Sequence, residues 1–173
     1  EKIMDAAWKD AKVKESLLNP PPHSAAPMEK GGRLALRTFA EKAYRRPVEE
    51  GEVRRLSQFL DLARTKGEQP DFGAKLGMTA VLVSPHFLFR VEEDPKLPEQ
   101  SRVIGEYELA TRLSYFLWSS MPDEELLALA AKGELRKPGV LKAQIARMLK
   151  DEKARSLTTD FAGQWLMLRN ISG

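Results

Sequence analysis

The side chains able to do chemistry are few, and most sit in three short stretches of the 173-residue chain. His86 follows Ser84-Pro85, and His23 stands in a proline-rich segment. A third stretch, Glu106-Tyr-Glu-Leu-Ala-Thr-Arg-Leu-Ser-Tyr-Phe-Leu-Trp-Ser-Ser-Met-Pro122, holds Glu108, Arg112 and Tyr115 among apolar residues. Zinc and non-haem iron need three or four histidine, cysteine or carboxylate ligands. With two histidines and no cysteine, such a site would have to be built mainly of carboxylates. His86 is therefore expected as a structural or surface residue, and His23 as an exposed one. Ser84 and Ser114 lack the G-x-S-x-G context of a nucleophile elbow. Gly31-Gly32 lacks the spacing and the Lys-Ser/Thr ending of a phosphate loop. Glu106 and Glu108, two apart, fall on different faces of a helix. Glu108 and Arg112, four apart, are spaced for an ion pair on one face.

Cysteine is absent altogether. That removes disulfides, thiolate metal sites, iron–sulfur clusters and covalent haem attachment through C-x-x-C-H, so no cofactor is expected in this chain. A net charge of +3 is too small to argue for nucleic acid. The Lys/Arg excess is concentrated in Arg33, Arg37, Lys42, Arg45 and Arg46, but Glu41, Glu49, Glu50 and Glu52 lie close by in sequence. A solvated, salt-bridged face is expected there. The longest apolar run, Leu76 to Phe89, is broken at Ser84-Pro85-His86 and is shorter than the roughly 20 residues of a membrane span. The chain opens Glu-Lys-Ile-Met-Asp, with neither an initiator Met nor the basic and apolar tandem of a signal peptide. A fragment of a larger protein is the expectation.

The elements that must position these residues read as helices throughout. Weak helical character over residues 1–18 ends at the polyproline stretch 19–27, a linker or strap. A helix over about 32–45 buries Leu36, Phe39, Ala40 and Ala43. A second, over about 49–66, buries Val53, Leu56, Phe59, Leu60 and Ala63. Asp71 is placed to cap a third, with Phe72, Leu76, Thr79 and Val83 on one face of a helix expected to be buried all round, and Phe87-Leu88-Phe89 tucked beneath the core. After the polar loop 92–101 comes the aromatic helix, expected to turn Leu109, Leu113, Phe116 and Leu117 inward. Tyr115, Phe116 and Trp118 are too close in sequence to share one face, so at least one should point elsewhere. Pro122 should open a short helix carrying Leu126, Leu127 and Ala130, and Pro138 one carrying Leu141, Ile145 and Met148. Asp151 should cap a last helix with Ala154, Leu157, Phe161, Trp165 and Leu168 as its seam. No run alternates long enough for a strand. The expectation is an all-α, orthogonal or irregular bundle of six or seven helices with no significant sheet. It divides into a segment 1–31, a helical subdomain 32–91, the loop 92–101 and a second helical subdomain 102–173.

Four stretches together carry a resemblance: Phe39-Ala-Glu-Lys-Ala-Tyr-Arg-Arg-Pro-Val48, Ser84-Pro-His-Phe-Leu-Phe-Arg90, Glu108 to Asp123, and Gln164-Trp-Leu166. They resemble two adjoining uncharacterised planctomycete-type domains, found in large exported proteins beside cytochrome-c-like modules. Glu49 departs from the pattern, where a threonine helix cap is usual. The resemblance implies an exported location and no activity of its own. It suggests a non-catalytic structural or interaction module, whose partners are neighbouring domains of the same polypeptide or another protein. The alternative is one wall of an active site, acting on polysaccharide or in electron transfer and completed by other domains. Glu108, Arg112, Tyr115 and His86 would be its first candidate residues.

Overall fold

Prolines punctuate the chain, and the helices form between them. The structure, a computed structural model, describes residues 2–19, 31–89, 92 and 101–162. The chain divides into two compact units, Glu1–Val91 and Glu92–Gly173. Among the described residues there are nine α-helices, a short 3-10 turn and a π-helical turn, and no strand. The all-α class is as the sequence predicts. The extra helices are short ones, split off where a cap or a proline interrupts a longer apolar pattern.

The first unit holds α1 (Lys2–Lys9), α2 (Ala11–Leu18), α3 (Gly32–Tyr44), α4 (Glu50–Thr65), α5 (Pro70–Leu82) and α6 (Pro85–Leu88). Asp10 divides α1 from α2 because its carboxylate accepts from the backbone N–H groups of Lys12 and Val13, at 2.9 and 3.2 Å. That satisfies two of the otherwise orphaned donors of a helix start. The core is built from Leu36, Ala40 and Ala43 of α3, Val53 and Leu56 of α4, and Met78 and Val81 of α5, with Met4 of α1 added. Each fully buried large side chain contributes roughly 1.5–3 kcal/mol by leaving water.

The expected face of α5 is wrong. Phe72 and Val83 are exposed, and the buried stripe is Gly73, Ala74, Gly77, Met78 and Val81. Close approach explains the shift. A Cβ on Gly73 would stand 2.8 Å from the Phe59 carbonyl oxygen and 2.9 Å from the Leu60 Cα, and one on Gly77 only 2.5 Å from a Leu36 methyl. The backbone of α5 itself lies against α4 and α3, with glycines where larger residues would collide. Asp71 is not the cap either: Pro70 opens the helix after Gln69, and Asp71 lies in its first turn. Beyond Ser84, Phe87 packs on the core, but Leu88 and Phe89 do not tuck under it; they are 60% and 64% exposed.

The second unit holds α7 (Glu106–Trp118), α8 (Glu124–Ala131) and α9 (Pro138–Lys150), then the 3-10 turn Glu152–Ala154 and the π-helical turn Leu157–Ala162. Pro122 stands outside α8 rather than in its first position, because Asp123 is the cap, its carboxylate accepting from the Leu126 N–H at 3.0 Å. Gly133 ends the helix region in the left-handed conformation, φ +66°. The core is Ala110, Leu117, Trp118, Leu126, Ala130, Leu135 and Met148, joined by Ala154 and Leu157 at its edge. The last segment is thus not one regular helix. Trp165 and Leu168, with the Gln164-Trp-Leu166 motif, lie outside the described residues.

Candidate functional site

The helix α7 positions Glu108, Arg112 and Tyr115, and it does so through small residues. Its fully buried positions include Ala110 and Ser114, with Thr111 beside them, and Leu117 and Trp118 at its end. The hydroxyl of Thr111 donates to the Tyr107 carbonyl at 2.8 Å, and that of Ser114 to the Thr111 carbonyl at 3.1 Å. Polar atoms on the buried face are thereby satisfied by their own helix. The expected inward placement of Phe116 fails: it is 54% exposed. Leu109 and Leu113 pack at the edge of the core. Among the three crowded aromatics, Trp118 points in, Phe116 out, and Tyr115 is half-buried. Trp118 also ties α7 to α9, its indole N–H donating to the Met148 carbonyl at 2.9 Å. The Arg147 guanidinium and the Lys153 ammonium lie 5.6 and 4.8 Å from its ring centre.

The charged residues of α7 are engaged with partners the spacing rule does not name. Glu108 lies in the first turn, where its carboxylate accepts from the Gly105 N–H and binds Arg102 in a two-pronged pair at 2.9 and 2.8 Å. The fork of a guanidinium matches a carboxylate in this way. Arg112 forms a similar fork on Glu92, with Nε donating at 2.8 Å. The order Arg102, Glu108, Arg112, Glu92 is a chain of alternating charge along one side of the helix start. Hydrogen bonding from Arg112 holds the Glu92 carboxyl below its ordinary range, and Glu92 in return raises Arg112. Sequence reasoning missed Arg102 and Glu92, six and twenty residues from their partners, beyond any helical repeat.

His86 belongs to the first unit and has its own surroundings there. Its ring lies 5.2 Å from that of Tyr44 at 54°, and its Nε2 is 3.9 Å from a Glu52 oxygen. Glu52 in turn receives both prongs of Arg46, at 3.0 and 2.9 Å, and the Glu49 N–H at 2.8 Å. Chiefly through the Arg46 hydrogen bonds, the Glu52 carboxyl is held below its usual range. That same reach to the Glu49 N–H is the Glu52 half of a capping box at the start of α4. Arg45 completes the cluster. It ends α3 in the left-handed conformation, φ 60°, with its side chain buried and donating to the carbonyls of His86 and Phe89 at 2.8 and 3.2 Å. The stretches 39–48 and 84–90 are therefore physically joined: the Arg45 and Tyr44 side chains hold the turn that carries His86. The basic flank is salt-bridged as expected, Glu50 accepting from both Arg33 and Arg37. It is less solvated than expected, since Arg37 and Arg45 are buried.

This architecture carries two family matches. Residues 32–92 match the model described as PSD5, protein of unknown function (DUF1595), and residues 104–173 the one described as PSD4, protein of unknown function (DUF1592). The two matched stretches follow one another along the chain. No curated protein and no solved structure matches it. His86 thus falls in the PSD5 part, and Glu108, Arg112 and Tyr115 in the PSD4 part. Among the described residues, no group of three or more His, Asp or Glu is placed to hold a metal ion, and no helix is long and apolar enough to cross a membrane.

Proposed function

We propose that the chain is a non-catalytic structural or protein-interaction module of a larger exported protein of the haem-bearing kind. One observation supports this most: the carboxylates at and beside the candidate residues are committed to ion pairs with arginine. Glu52, Glu108 and Glu92 each accept a forked guanidinium, and Glu52 and Glu92 are held in the ionised form. A general acid near neutral pH needs the opposite, a carboxyl raised by burial or by a like charge. The exported, planctomycete-type and cytochrome-associated context rests on the likeness of the four stretches to domains of that setting. In this reading α7 offers the binding surface, with Phe116 presented to solvent beside the Arg112–Glu92 pair. The partner is a neighbouring domain of the same gene product.

The test is association in trans between this chain and the remaining segments of the full-length gene product. Phe116→Ser is expected to weaken that association about tenfold while the helical circular dichroism and thermal midpoint stay as in the parent. Equal binding by parent and variant, or no binding by either, would refute the reading. So would an enzymatic turnover of the assembled protein that is lost in Glu108→Gln.

A further inference from the structure

The two N-terminal helices are attached to the first unit differently from everything else in it. Residues 32–92, which match a family model without them, include most of the core: Leu36 and Ala40 of α3, Val53 and Leu56 of α4, Met78 and Val81 of α5. From the described residues 2–19, only Met4 is buried, with Trp8 and Leu17 partly so, while Ile3 is 75% and Val13 41% exposed. Among the described residues, polar attachment includes two ion pairs, Asp5 with Lys75 and Lys14 with Asp71, both reaching α5. All four side chains keep substantial contact with water, so each pair is a weak fastener. Each helix is eight residues long, below the roughly 12–15 residues that isolated helices need to persist in water. They stay helical only while docked.

We infer that α1 and α2 form a strap that detaches and melts as a unit while α3, α4 and α5 stay packed, alternately covering and opening the α5 face that carries Asp71 and Lys75. One buried methionine, the partly buried Trp8 and Leu17, and two partly exposed ion pairs couple it only weakly to the unit's global stability. Local opening of such a segment is the ordinary consequence of few buried contacts. Salt is the handle on it, because the fasteners at its rim are ionic and accessible.

Hydrogen exchange read by mass spectrometry on the whole chain tests this. Amides of residues 2–18 are expected to exchange at least tenfold faster than those of α4 and α5. Raising salt from about 0.1 to about 1 M, which shortens the screening length from ~10 to ~3 Å, should speed α1 and α2 several-fold more and leave α4 and α5 unchanged. Lys14→Gln with Lys75→Gln, both at partly exposed positions, should reproduce the salt effect and remove further response to salt. Met4→Ala should release α1 and α2 without altering α4. The inference is overturned if α1 and α2 exchange at the rate of α4 and α5. It is equally overturned if Met4→Ala or salt accelerates the whole unit together.

Discussion

Two clusters built from the same residue types, guanidinium against carboxylate, differ in what surrounds them. In the first unit, Arg45 and Arg46 sit where α3 ends: Arg45 is itself buried and holds the carbonyls of the turn at His86 and Phe89, and Arg46 pairs with a nearly buried Glu52, 10% exposed. In the second, Arg112 and Glu92 are 54% and 31% exposed. The Arg46–Glu52 and Arg112–Glu92 pairs are alike in being forked. Their energetic meaning differs. A group withdrawn from water must keep its partner or lose several kcal/mol, whereas an exposed pair can return to water almost freely. The first cluster is a fastener of the fold, and the second is a rim.

The largest effect is expected at Arg45. Arg45→Ala removes the donor to the His86 and Phe89 carbonyls and leaves the left-handed backbone in place. Hydrogen bonds from a charged donor in a buried setting put the loss at about 2–3 kcal/mol of unfolding free energy, measured by urea denaturation. Arg45→Gly loses the same bonds but relieves the left-handed backbone, so it should be less damaging than alanine by about 1 kcal/mol. If both variants match the parent, the cluster is not a fastener and the contrast with the second unit collapses.

Glu52 comes next. Its carboxyl is lowered by Arg46, so it stabilises the fold above the ordinary glutamate value of about 4.3 and loses that contribution as pH falls through the lower folded value. Glu52→Gln should cost about 1–2 kcal/mol at neutral pH. The gap between parent and variant should narrow between about pH 5 and pH 3, because protonation of the parent mimics the substitution. A gap that is constant with pH would assign the loss to packing rather than to charge.

The sequence's legibility divides along the same line. Apolar residues at helical spacing place most of α3 and α4: Leu36, Ala40, Ala43, Val53, Leu56 and Ala63 are buried, while Phe39, Phe59 and Leu60 are only partly so. The same rule misses much of the buried face of α5 and wrongly turns Phe116 of α7 inward, for one reason. Their buried faces are lined by Gly73 and Gly77, and by Ala110, Thr111 and Ser114, residues that bury little area and so leave no apolar signal. What they supply is proximity, as the 2.8 Å between a would-be Gly73 Cβ and the Phe59 carbonyl shows. Large apolar residues such as Phe72 and Phe116 mimic a core stripe while standing in solvent. The candidate site was legible as a list of polar residues on one helix, but not as a set of partnerships. Arg102 and Glu92 reach Glu108 and Arg112 from irregular backbone, and only folding brings them near. Arg45 looked like one more surface cation, since nothing local distinguishes a buried arginine from an exposed one.

The smallest effect is expected where the eye is first drawn, at Arg112. Arg112→Ala deletes a forked ion pair whose cation is mostly in water, and the two long side chains regain rotamer freedom that offsets the lost attraction. The thermal midpoint should be indistinguishable from the parent's at physiological salt, where screening already acts over about 8 Å. Glu108, its neighbour along the helix, keeps Arg102 and the Gly105 N–H, so the helix start does not depend on Arg112. A clear fall in the midpoint would mean that the alternating chain from Arg102 to Glu92 behaves as one cooperative network, and the second cluster would then belong with the first. An unchanged midpoint joined to weaker association in trans would leave only one use for the pair: recognition at the surface of α7 rather than stability beneath it.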